Sequence, residues 1–161
     1  MPSVYLETTI PSYLTAWPSR SLVAAAHQAI TREWWTLRRA DFELCVSQLV
    51  IAEISAGDAT AARLRLDSIT GIPTLPMTDE VEWIASEMER LGLVPPSAAA
   101  DAFHVGYASA HSIDYLLTWN CRHIANAERL PAIRTFLQQN GFSIPIVCTP
   151  EELMGDHDNT E

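Results

Sequence analysis

Short apolar runs alternate along the chain with longer segments whose apolar positions recur every three or four residues. The first run, Val4 to Leu6, reads as a strand that ends at Glu7. Pro11 and Pro18 punctuate a turn and a short helical piece. From about Ser21 to Arg39, the residues Val23, Ala26, Ile30, Trp34 and Leu37 share one helical face, which predicts a helix with that face inward. Phe42, Leu44 and Val46 alternate and predict a second strand reaching about Ser47. Ser47 suits the cap of a helix that carries Glu53 and stops at Gly57. Another helix is expected over 58–69, then a short strand near Ile72 to Leu75 between Pro73 and Pro76. Thr78 caps a helix with Val81, Ile84, Ala85, Met88 and Leu91 inward. Pro95-Pro96-Ser97 is a stop and a new cap, and the helix after it has Asp101 in or near its first turn. Tyr115 to Leu117 predicts a fourth strand ending at Thr118-Trp119-Asn120. A helix around 128–139 and a strand with Ile144, Ile146 and Val147 follow. Thr149-Pro150-Glu151-Glu152 combines a cap, an N1 proline and an N3 glutamate.

Strands alternating with helices imply parallel βαβ units. In a doubly wound sheet the first strand is central, and side chains at the carboxyl ends of the strands meet at the topological switch point. That point lies between the strand ending at Glu7 and the strand ending near Asn120. Glu53 and Asp101 come from helices whose N-terminal regions face the same edge.

The length of 161 residues allows one domain with a sizeable core, expected over 1–153, with an acidic tail over 154–161 expected to be disordered. No apolar run approaches the roughly 20 residues of a membrane span, and the start of the chain lacks the pattern of a signal peptide. Cys45, Cys121 and Cys148 show no CxxC spacing, which suggests reduced thiols, two of them in strands, and a cytoplasmic protein. Net charge is −10, and all ten bases are arginine. An acidic chain is a poor sequence-independent phosphate binder, and a bound cation would offset part of the excess locally.

Gathering Glu7, Glu53 and Asp101 in one crevice is costly. Two unit charges about 4 Å apart repel by on the order of 4 kcal/mol at an effective dielectric of about 20. A divalent cation removes that penalty. The runs Val4-Tyr5-Leu6-Glu7-Thr8-Thr9, Ser47-Gln48-Leu49-Val50-Ile51-Ala52-Glu53-Ile54, Ala99-Ala100-Asp101-Ala102-Phe103-His104 and Leu117-Thr118-Trp119-Asn120 together resemble the PIN-domain family over nearly the whole chain. Many bacterial members are VapC-type toxins of type II toxin–antitoxin pairs. The resemblance implies a three-layer α/β/α fold with a central, mostly parallel sheet of four to five strands. It also implies Mg²⁺- or Mn²⁺-dependent ribonuclease activity leaving a 3′-hydroxyl and a 5′-phosphate, an RNA substrate, a homodimer and a small antitoxin partner. The chain departs from the commonest pattern at Glu7, usually Asp, and at Asn120, often Asp.

Because Mg²⁺ keeps several waters and needs only one or two carboxylates, Glu7 and Asp101 are the expected direct metal contacts. Glu53 and Asn120 are expected to bind outer-sphere waters or a second ion, and Glu53 or Asp101 to orient the attacking water. Thr8 and Thr118 are expected to contact phosphate or hold ligands in place, and Arg122 to meet RNA phosphate. His104 and His123 are assigned structural or substrate-side roles, since neither HExxH nor a Cys/His cluster is present. Arg32, Arg38, Arg39, Arg63 and Arg65 form either a basic rim or ordinary solvated helix faces. A weakly catalytic PIN domain that binds nucleic acid or protein is the rival reading. A receiver-like signalling domain would need a lysine beside its acidic cluster, and this chain has none.

Overall fold

Val4, Tyr5 and Leu6 are fully buried and make β1 (Ser3–Leu6) the axis of the fold. A strand covered on both faces reads as a continuous apolar run and not as an alternation. The structure is a computed structural model that describes residues 1–156. After β1 come α1 (Thr9–Thr15), α2 (Leu22–Leu37), β2 (Glu43–Ser47), α3 (Gln48–Ile54), α4 (Ala59–Ser68), β3 (Thr74–Leu75) and α5 (Asp79–Arg90). The chain continues through α6 (Ala99–Ala110), β4 (Tyr115–Leu117), α7 (Leu130–Gln139) and β5 (Ile146–Cys148). The sheet is parallel, in the order β3-β2-β1-β4-β5, and helices flank it. The winding therefore reverses between β1 and β4, where the sequence places it.

Several boundaries follow from the anticipated chemistry. Ser47, Asp58 and Thr78 each accept a backbone N–H at the start of α3, α4 and α5. Thr149 and Glu152 make the reciprocal bonds of a capping box, Thr149 N to Glu152 Oε1 at 3.1 Å and Glu152 N to Thr149 Oγ1 at 3.4 Å, although only a turn follows. Cys45 and Cys148 lie in β2 and β5, and all three cysteines are free. Before α6 the chain forms a 3₁₀ turn, Pro96–Ala98, and Ser97 caps nothing.

The inward face of α2 differs from the expectation. Gln28, Thr31 and Trp34 are buried, while Val23, Ala26 and Leu37 are exposed. Polar groups won those positions because they close backbone bonds elsewhere. Gln28 accepts from Ser19 N at 3.0 Å and donates to Trp17 O at 2.8 Å, pinning the loop between α1 and α2. Thr31 accepts from the Trp119 indole at 2.7 Å. Leu91, expected inward, is exposed just beyond the end of α5.

Three arginines hold backbone and do not form a rim. Arg32 donates to Leu14 O and Ala16 O at the end of α1. Arg65 donates to Ile54 O and Ala56 O at the end of α3, and Arg38 to Met154 O. Arg39 lies over the half-buried Trp35 ring. Trp34 donates to Leu153 O at 3.2 Å, so the chain stays tied to the core through Met154. Of the acidic tail, residues 157–161 lie outside the described residues.

The close crossing of α5 and α6 is made at Gly106, where an added Cβ would stand 2.9 Å from the backbone oxygen of Val81. Alanine ordinarily favours a helix over glycine by about 1 kcal/mol. Here the obstacle is backbone and cannot swing aside, and overpacking of this kind costs about 1–3 kcal/mol. Gly106→Ala is therefore expected to lower the melting temperature by several degrees. An unchanged or raised melting temperature would show that the two helices have slack.

Candidate functional site

Two backbone bonds carry the ladder one residue past the strands: Glu7 N donates to Leu117 O at 3.1 Å, and Thr118 N to Cys148 O at 2.9 Å. Glu7 and Thr118 are thus fixed at the carboxyl edge as firmly as strand residues, and both are buried. Glu7 Oε1 accepts the hydroxyls of Thr9 and Thr118, each at 2.6 Å. Those hydroxyls are oriented in turn by consecutive backbone N–H groups. Trp119 N donates to Thr9 Oγ1 at 2.8 Å and Asn120 N to Thr118 Oγ1 at 2.9 Å. Each relay runs from N–H to hydroxyl to carboxylate, and such chains polarise cooperatively.

Glu53 lies at the end of α3, partly exposed. Its Oε1 accepts from Thr8 Oγ1 at 2.6 Å and meets His104 Nε2 at 2.7 Å. Burial alone would raise its pKa, but the bonds from His104 and Thr8, with the electrostatic attraction of the His104 ring, outweigh burial and leave it lowered. Asp101, in the first turn of α6, shows the opposite balance. Burial raises its pKa, and His104, the Asn120 amide and His123 offset only part of that, while Glu53 adds to it.

Asn120 connects Asp101 to the Glu7 side. Its Nδ2 donates to Asp101 Oδ1 at 3.1 Å and its Oδ1 accepts from His123 N at 3.0 Å. A backbone N–H can only donate, so the oxygen must face residue 123 and the amide must face Asp101. The orientation offers Asp101 a donor in place of a second oxygen.

The structure thus links Glu7, Thr118, Asn120 and Asp101 in one hydrogen-bonded run, with Thr8 and Glu53 alongside. Arg122 is exposed and makes no side-chain bond to the cluster. Among the described residues, no group of three or more His, Cys, Asp or Glu side chains stands close enough to hold a metal ion. Among the described residues no arginine forms an ion pair with Glu7, Glu53 or Asp101. The donor set is hard oxygen, three carboxylates whose only basic partners among the described residues are histidines. It fits a hydrated Mg²⁺ or Mn²⁺ taken up through one or two direct carboxylates and otherwise through water. It does not fit a fully ligated zinc centre.

The sequence pattern points to no site role for Thr9 or Tyr5, to Ser47 only as a helix cap, and to no partner for His104. The available signals were the Thr8-Thr9 pair directly after Glu7 and a histidine set in the otherwise apolar stretch of α6. His104 is buried, and its Nδ1 lies 2.8 Å from the Tyr5 hydroxyl, which lies 2.7 Å from Ser47 Oγ.

No protein-family model matches the chain, and no curated protein matches it. Its fold is similar to that of a chain in the crystal structure of VapBC2 from Rickettsia felis bound to a DNA fragment from their promoter. The TM-score is 0.57 at 15% sequence identity, and the match covers 91% of this chain and 97% of that one. The chain has the three-layer, PIN-like α/β fold that its sequence implied.

Opposite shifts at neighbouring carboxylates have opposite consequences for stability. A raised Asp101 favours the folded state at low pH, and that advantage is lost as pH rises through its folded value. A lowered Glu53 stabilises above its unfolded value, near about 4.3, and the contribution is lost as pH falls through the folded value. Without added metal at pH 7, Asp101→Asn is expected to melt above wild type and Glu53→Gln below it. Both differences should shrink below about pH 4. Thermal melts from pH 3 to 8 check this, and two variants shifting in the same direction would contradict the assignment.

Proposed function

We propose that the chain is a Mg²⁺- or Mn²⁺-dependent endoribonuclease of the VapC-like PIN type. The observation that supports this reading is the hydrogen-bonded run Glu7–Thr118–Asn120–Asp101 at the carboxyl edge of the sheet, with Glu53 near enough to Asp101 to raise its pKa and, among the described residues, no arginine paired to any of the three carboxylates. A folded chain that concentrates negative charge and supplies only neutral or titratable donors leaves a place for a cation. The ion, when bound, would lower the pKa of a coordinated water and neutralise charge on a phosphodiester.

The chain's own groups do the rest. Glu7 and Asp101 are the direct holders, and Glu53 stands beside them to orient water. Thr8 and Thr118 keep Glu53 and Glu7 in place. Arg122, exposed two residues past Asn120, is the side chain available to meet RNA phosphate. The similar structure is a VapBC2 assembly, which supports a small antitoxin as partner. In this reading the protein is a cytoplasmic homodimer, and among the described residues no helix is long and apolar enough to cross a membrane.

A second reading has its own observation. Asn120 presents its amide, not an oxygen, to Asp101, and no three ligands converge as they stand. Both features suit a PIN-like module that binds nucleic acid or protein and cuts weakly.

Purified protein incubated with mixed RNA and Mn²⁺ or Mg²⁺, with a chelator control, separates the two. Cleavage is expected only with metal. Glu7→Gln and Asp101→Asn should each reduce it by on the order of 100-fold or more. RNA retained in a binding assay but uncut by wild type would favour the second reading. Independently, millimolar Mn²⁺ should raise the wild-type melting temperature through preferential binding to the folded state, and Asp101→Asn should lose that rise.

A further inference from the structure

We propose that the buried chain Ser47–Tyr5–His104 fixes which ring nitrogen of His104 faces Glu53, with Nε2–H donated to the carboxylate. His104 and Tyr5 are thereby positioning residues for the site. The inference deepens the metal-site reading by naming what sets the orientation of Glu53.

The argument is a count of hydrogens. Val50 N donates to Ser47 Oγ at 3.3 Å, so one Ser47 lone pair is taken and its own hydrogen is available. That hydrogen goes to the Tyr5 oxygen 2.7 Å away. The Tyr5 hydrogen goes to His104 Nδ1 at 2.8 Å, which requires a bare Nδ1. The ring hydrogen of the neutral imidazole then sits on Nε2 and points to Glu53 Oε1 at 2.7 Å. Every hydrogen has an acceptor and every oxygen a donor. Running the chain in reverse would put the hydrogen of the neutral ring on Nδ1 and set a bare Nε2 against the Glu53 carboxylate, two acceptors 2.7 Å apart.

The surroundings hold this order rigid. Tyr5, Ser47 and His104 are all at most 1% exposed, so water does not compete for these bonds. The Tyr5 ring is edge-on to His104 at 5.8 Å and stacked on Tyr107 at 6.2 Å, which fixes the phenolic oxygen between Ser47 and His104. Both bonds to Glu53, from Thr8 and His104, converge on Oε1, and Oε2 receives neither. The carboxylate is clamped by one oxygen while the other is left for a cation or a water.

The test uses the full-length protein. Long-range ¹H–¹⁵N spectra of the histidine-labelled wild type at neutral pH are expected to show His104 with its hydrogen on Nε2 and a bare Nδ1. The ring is assigned by its absence in His104→Gln. Tyr5→Phe removes the donor to Nδ1 while keeping the ring; the Glu53 carboxylate still calls for a hydrogen on Nε2, so the expected change is loss of the hydrogen-bonded ¹⁵N shift at Nδ1 and of the single ring orientation. Mn²⁺ affinity, read from paramagnetic broadening, should fall by about 10-fold or more in Tyr5→Phe and His104→Ala. His104→Gln, which keeps a donor at the Nε2 position, should retain it within a few-fold. A purely structural histidine would lower the melting temperature of these variants and leave their Mn²⁺ affinity unchanged. The proposal is overturned if wild-type His104 carries its hydrogen on Nδ1 alone or on both nitrogens, or if Tyr5→Phe leaves the Nδ1 resonance unchanged. A wild type that binds no Mn²⁺ would sink the metal-site reading instead, and the tautomer measurements would still decide this one.

Discussion

The site is organised around one buried carboxylate. Glu7 sits at the end of the central strand, 4% exposed, and an ionised group in that position without partners would cost several kcal/mol. Two threonine hydroxyls supply the compensation, each bond to a charged group contributing about 1.5–3 kcal/mol. Because each hydroxyl is itself held by the backbone N–H of Trp119 or Asn120, satisfying Glu7 also positions the turn after β4. Asn120 is placed by that turn, and Asp101 takes its amide bond from Asn120. The choice of hydroxyls matters as much as their number. An arginine would have satisfied Glu7 equally well and cancelled its charge. Threonine satisfies it and leaves the crevice negative.

The elements and their order were legible because hydrophobic periodicity, caps and prolines are local signals. The switch point followed from β1 preceding everything else and reading as a buried run. What escaped was side-chain pairing across long separations. Thr118 reaches Glu7 over 111 residues and Tyr5 reaches His104 over 99, and neither leaves a periodic trace. The inward face of α2 was misread for a related reason. Periodicity ranks Val23 above Gln28, but Gln28 closes two backbone bonds in the loop before the helix, and a buried unpaired peptide group costs more than an exposed valine. The arginines of α2 and α4 were read as surface charge or a rim, whereas Arg32 and Arg65 each satisfy two carbonyls at the end of a neighbouring helix. Short helices such as α1 and α3, with seven residues each, leave most of their terminal groups without intrahelical partners.

The two half-buried carboxylates of the crevice are not equivalent, although they share a histidine neighbour. Glu53 receives two short bonds on one oxygen and is held ionised against the cost of burial. Asp101 receives one longer amide bond, and burial dominates its balance. Substituting Asp at position 120 would worsen that imbalance by adding a like charge where a donor now stands. Asparagine therefore has a physical rationale that does not require it to ligate anything: it makes the ionised Asp101 tolerable in the absence of a cation. The same reasoning makes Asp101 the carboxylate that gains most from a positive ion, since the group left least compensated by the protein has the most to recover. In the proposed metal-dependent reading Glu53, clamped through Oε1, would direct a water, because Thr8 and His104 set its orientation.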